Sequence, residues 1–72
     1  MKLKLKEIRE KKNMTQTELA EKLGVTQGTI SMWEIGLCNP TFGNLNKLAF
    51  ELNVKVDELI GEEYEQEPEA AA

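Results

Sequence analysis

Seventy-two residues, 40% hydrophobic and 31% charged, suffice for one small domain and are too few for two. No apolar run approaches the roughly 18 residues of a membrane span, the lone Cys38 excludes an internal disulfide, and the lack of histidine excludes an ordinary zinc constellation. The net charge of −4 is uneven: residues 1–60 carry nine Lys and Arg against eight acids (+1), whereas residues 61–72 carry five Glu and no base (−5), so the acidity belongs to the C-terminal stretch.

The opening Met-Lys-Leu-Lys-Leu-Lys leads into Glu7 and Arg9 rather than a greasy segment, so it does not read as a secretory signal and a cytoplasmic protein is expected. Met1, Leu3 and Leu5 alternate with Lys2, Lys4 and Lys6, a period of two that would also suit a strand. Glu7 to Lys12 are good helix formers and no partner strand follows, so a first helix is predicted over about Leu3–Lys12, with Leu5 and Ile8 facing inward. Lys11 and Lys12 suit the negative end of its dipole, and Asn13 is the expected C-cap.

Thr15 followed by Glu18 has capping-box form and starts a second helix. Leu19, Ala20 and Leu23 fall on one face of it, and Gly24 is suited to a left-handed C-terminal cap. Only Val25 separates that glycine from Thr26, a further N-cap, after which Ile30 and Trp33 mark the inner side of a third helix. A turn this short sets two helices at a steep angle, as in the helix-turn-helix that presents its second helix to the DNA major groove.

The stretch Ile35–Pro40 is the longest predicted loop, and Thr41 caps a fourth helix in which Phe42, Leu45, Leu48, Ala49 and Leu52 form the main wall of the core. Asn53 can take the left-handed conformation that ends it, and Val56, Leu59 and Ile60 predict a short fifth helix stopped by Gly61. Residues 1–61 therefore read as one all-α, five-helix domain, and residues 62–72, EEYEQEPEAAA, as an acidic tail with too little apolar surface to order it. Solubility is the simplest use of such a tail; phosphate repulsion or a basic partner are the alternatives. Gly36, Asn39 and Pro40 place Cys38 in a loop, where a redox-sensing thiol is one reading, but an unmodified thiol is favoured since nothing cationic lies close in sequence.

Arg9, Gln16, Glu18-Leu19-Ala20, Leu23-Gly24-Val25, Gln27, Ile30-Ser31, Trp33-Glu34, Pro40 and Leu45 through Leu48-Ala49 together resemble the phage-repressor type of helix-turn-helix domain, that of Cro and lambda repressor, also called the xenobiotic-response-element type. The resemblance spans about Leu5 to Ile60. It implies a compact five-helix DNA-binding domain, a regulator of transcription and most simply a repressor, with double-stranded DNA as partner and a homodimer on it.

At about 100° per residue, Gln27, Gly28, Ser31 and Met32 lie on an arc across from Ile30 and Trp33, and this arc is the candidate base-contacting surface. A glutamine amide offers one donor and one acceptor to adenine, and a methionine tip can pack on a thymine methyl. Taken alone, such residues are simply a solvated helix face; the surrounding motif is what favours the groove. Gly28 is costly inside a helix; close approach of backbone to a sugar-phosphate strand or a base edge would compensate, and drift at a position without contacts is the alternative. The resemblance makes Gln16, at the start of the second helix, a phosphate clamp that helps to orient Gln27; Thr26, Asn39 and Thr41 are further candidates for the DNA backbone. It also pairs Arg9 with Glu34, an ion pair linking the first helix to the end of the third.

One departure matters: between Lys22 and Lys47 there is no Lys or Arg, so few phosphates would be neutralised there and a low affinity with a shallow salt dependence is expected. A protein-interaction module that keeps the fold with weak DNA affinity is the competing reading. Leu37, Phe50 or the fifth helix are candidates for the dimer seam. No nucleophile–base pair, phosphate-cradling glycine loop, metal set or cofactor motif is evident, so neither an enzyme nor a cofactor, metal or small-molecule site is expected.

Overall fold

Three helices begin at a threonine whose hydroxyl accepts a hydrogen bond from the amide three residues on: Thr15 from Glu18 at 3.0 Å, Thr26 from Thr29 at 3.2 Å and Thr41 from Asn44 at 3.2 Å. At Thr15 the box closes in both directions, because its own amide donates to Glu18 Oε1 at 2.8 Å. The computed structural model describes residues 3–61. It runs α1 (Leu5–Lys11), α2 (Gln16–Leu23), α3 (Gln27–Ile35), α4 (Phe42–Leu52) and α5 (Val56–Ile60), all-α as expected, with no strand among the described residues. The tail expected at 62–72 lies outside them.

The corner between α2 and α3 is set by Gly24, whose φ of +76° lies in the left-handed region where any side chain is strained. The amides of Gly24 and Val25 both return to the Ala20 carbonyl, at 2.9 and 3.0 Å, so the last turn of α2 is closed before Thr26 opens α3. Val25 then packs against the core, which holds the corner from the inside.

Leu5, Leu19, Ile30, Leu48, Leu52 and Leu59 are fully buried, and all five helices therefore contribute to one core. Each such side chain contributes about 1.5–3 kcal/mol relative to exposure. α2 packs against both α3 and α4, α5 against α4, and α1 against α3. The helix-turn-helix is thus backed by α4 and braced by α1. No helix among the described residues is long and apolar enough to cross a membrane.

Three details differ from the sequence reading. α1 starts at Leu5 rather than Leu3, because Lys4, at φ −93° and ψ +29°, lies outside the helical region; its amide, which a first turn leaves free, donates to the Leu59 carbonyl at 2.8 Å and fastens this segment to α5. The C-cap of α1 is Lys12, and Asn13, one residue on, takes the left-handed conformation at φ +59°. Phe42, expected on the inner wall, is 73% exposed. Helical side chains lean toward the N-terminus, so a residue in the first position of α4 points past the end of the helix, where nothing packs.

Candidate nucleic-acid interface

In α3 the burial follows the helical period. Ile30 and Trp33 are buried, whereas Gln27, Gly28 and Met32 are exposed and Ser31 is half-buried. The arc formed by these four residues therefore lies on the side of α3 away from the core, open at Gln27, Gly28 and Met32 and partly covered at Ser31.

What holds that arc in place is a run of side-chain hydrogen bonds through three helices. Arg9 on α1 is buried, and its Nε donates to Glu34 Oε2 at 2.7 Å while Nη2 reaches Glu34 Oε1 at 3.4 Å. Its Nη1 donates to the Met14 carbonyl at 2.7 Å. The Glu34 side chain is only 3% exposed. Hydrogen bonding to Glu34 raises the Arg9 pKa above its ordinary value, against the opposing effect of burial, so the guanidinium stays charged throughout the ordinary pH range. Removing both charges from water costs much of what their attraction returns, so the pair orients α3 against α1 more than it stabilises the fold.

From Glu34 the run continues outward. Gln16, the first residue of α2, donates from Nε2 to Glu34 Oε1 at 2.8 Å, and Gln27 donates from Nε2 to Gln16 Oε1. Gln16 is half-buried and Gln27 exposed, so the run passes from the core to the solvent-facing start of α3. No buried side-chain nitrogen or oxygen among the described residues is left without a partner.

The other candidates stand apart from this run. The Thr26 hydroxyl is engaged with the Thr29 amide and lies 2.8 Å from the Thr29 hydroxyl, the Thr41 hydroxyl caps α4, and Asn39 is exposed. At Gly28 an added Cβ would meet only Thr26 Oγ1, at 3.9 Å, so nothing within the protein demands a glycine there. The Met14 carbonyl, the third anchor of Arg9, escaped the sequence reading because a backbone acceptor has no residue signature. The hydroxyl contact between Thr26 and Thr29 was missed as well, although a Thr-x-x-Thr spacing at a helix start would have signalled it.

A family model described as helix-turn-helix matches residues 5–59, from the start of α1 to all but the last residue of α5. The chain belongs to the helix-turn-helix family of DNA-binding transcriptional regulators. It is 41% identical over 59 residues to an uncharacterized HTH-type transcriptional regulator of Archaeoglobus fulgidus, covering 82% of this chain and 83% of the relative. It is 37% identical over 49 residues to the cryptic phage CTXphi transcriptional repressor RstR of Vibrio cholerae, which takes in 68% of this chain and 44% of that protein. Among solved structures, that of SinR, the master regulator for biofilm formation, in complex with DNA is similar at a TM-score of 0.67 and 38% identity, over 72% of this chain and 84% of that one. SinR is a Bacillus subtilis protein.

Proposed function

We propose that this helix-turn-helix regulator docks α3 in the DNA major groove, with Gln27, Gly28, Ser31 and Met32 toward the base edges and Gln16, Thr26, Asn39 and Thr41 toward the sugar-phosphate strands. The observation that carries this reading is the outward arc of α3, held by a buried ion pair and by Gln16 at the start of α2. Gln27 keeps a free Nε2 hydrogen and a free Oε1 beyond its bond to Gln16, the donor and acceptor that adenine requires. Gln16 likewise keeps one Nε2 hydrogen for a phosphate oxygen. That SinR, of similar fold, has been seen on DNA supports the same docking here.

Residues 1–61 form the proposed DNA-binding unit, and two copies would place their α3 helices in successive major grooves about 34 Å apart. Two such copies across a promoter exclude polymerase sterically, so repression is the proposed mode of regulation. The protein is proposed to act in the cytoplasm and to need neither cofactor nor catalytic chemistry.

The test is a salt-titrated binding assay against random and promoter-derived duplexes, with wild type compared to Gln27→Ala. A base contact loses about 1–3 kcal/mol on the preferred site and little on random DNA. Equal, weak binding to every duplex by both proteins would instead favour the protein-interaction module.

A further inference from the structure

We propose that Glu34, buried behind the reading surface, is a positioning residue that sets which base Gln27 prefers, by dictating the direction of every amide between them. The inference rests on the DNA-binding reading for its base preference, and on hydrogen-bond polarity for its mechanism.

Arg9 can only donate, and an ionised carboxylate can only accept. Glu34 takes the Arg9 Nε hydrogen at 2.7 Å and still presents only acceptors to α2. Gln16 must therefore turn its NH2 group toward Glu34, as the 2.8 Å bond from Nε2 shows, and this leaves its Oε1 pointing away. An outward oxygen on Gln16 obliges Gln27 to turn its own NH2 inward, and Gln27 does so. The two ends of a glutamine amide are otherwise nearly interchangeable in shape. Here the carboxylate breaks that symmetry two side chains away, leaving Gln27 with Oε1 and one N–H free for DNA. That pairing matches the N6 donor and N7 acceptor of adenine, whereas guanine offers two acceptors, O6 and N7.

Replacing Glu34 by glutamine reverses the direction of the run. Arg9 still can only donate, so Gln at 34 must turn its oxygen to Arg9 and its NH2 to Gln16. Gln16 then accepts from position 34 and donates to Gln27, whose oxygen turns inward and whose two N–H groups both face the groove. Two donors suit guanine O6 and N7.

The experiment selects preferred duplexes from a randomised pool with wild type, Gln27→Ala, Glu34→Gln and Gln16→Leu, and identifies the Gln27 position as the one whose preference Gln27→Ala loses. Wild type is expected to favour adenine there over guanine by about five- to hundredfold, the range of one bidentate contact. Glu34→Gln is expected to lose that preference and lean to guanine. Gln16→Leu cuts the run while leaving Arg9 and Glu34 paired, and is expected to lower the ratio without reversing it. It carries the test if Glu34→Gln does not fold.

A second readout needs no DNA. In the free protein one Nε2 proton of Gln27 is hydrogen-bonded; in Glu34→Gln neither is, so side-chain amide exchange followed by NMR should quicken at Gln27 and not at Gln16. Folded variants in which Gln27 exchange and base preference both match wild type would overturn the proposal. If Gln27 exchange changes as expected but wild type shows no preference for Gln27→Ala to lose, the DNA-binding reading has failed and the base-setting role falls with it.

Discussion

Gly28→Ala should act with opposite sign on folding and on DNA binding. On the folding side, Gly28 has no left-handed φ, and the nearest atom to an added Cβ is Thr26 Oγ1 at 3.9 Å, an ordinary van der Waals distance. The methyl group therefore meets no obstacle, and the variant gains the helix propensity that glycine lacks, about 0.5–1 kcal/mol. Gly28 is the second residue of α3, where fewer backbone bonds are at stake, so the lower end applies. For a domain of this size a gain of about 0.5 kcal/mol raises Tm by roughly 2–4 °C. On the binding side, a base edge or strand lying close to the Gly28 Cα would have to move to admit the methyl. Such overpacking costs about 1–3 kcal/mol. Thermal melts by circular dichroism and duplex titrations on the same samples read the two effects separately. A higher Tm with weaker binding is expected. A lowered Tm would refute the open-space reasoning, and a higher Tm with unchanged affinity would show that no DNA backbone or base edge approaches Gly28.

Two further perturbations address the frame around α3. Arg9→Met leaves the Glu34 carboxylate buried without its cation, at a cost of about 3–5 kcal/mol, comparable to the whole stability of so small a core; combining it with Glu34→Gln should recover part of that loss, and a denaturant-based double-mutant cycle with no coupling would remove the claim that the two residues act together. Ile35→Lys places a cation at the 68% exposed end of α3, inside the interval that lacks Lys and Arg. It should steepen the dependence of log Kobs on log salt by about 0.9 for the one added phosphate contact, and an unchanged slope would mean that this end of α3 faces away from the strands.

The local geometry was legible because it is written in single residues with single uses. Thr15, Thr26 and Thr41 start helices since a short hydroxyl chain can reach the amide three residues on, and Gly24 and Asn53 end them since they tolerate positive φ. The same period that buries Ile30 and Trp33 exposes Gln27 and Met32, so the solvent-facing side of α3 follows from the spacing of its apolar residues. Where the structure departs from that reading, the backbone or the lack of a neighbour is responsible: Lys4 sits outside the helical region, so α1 begins at Leu5, and nothing covers the first turn of α4, so Phe42 stays in solvent.

From its order of residues alone, this chain determines five helices, three of them capped by threonine, one sharp corner and an outward polar face, because caps and periodicity act over three or four residues and need no distant partner. The Arg9–Glu34 pair and the Gln16–Gln27 contact were expected from the resemblance, and only the folded arrangement decides the direction of each bond that holds that face. Arg9, the Met14 carbonyl, Gln16, Gln27 and Glu34 come from separate parts of the chain, and the direction of each bond among them follows from which group can donate and which can only accept once they meet. Polarity of that kind is a property of contacts across helices, and no local pattern encodes it.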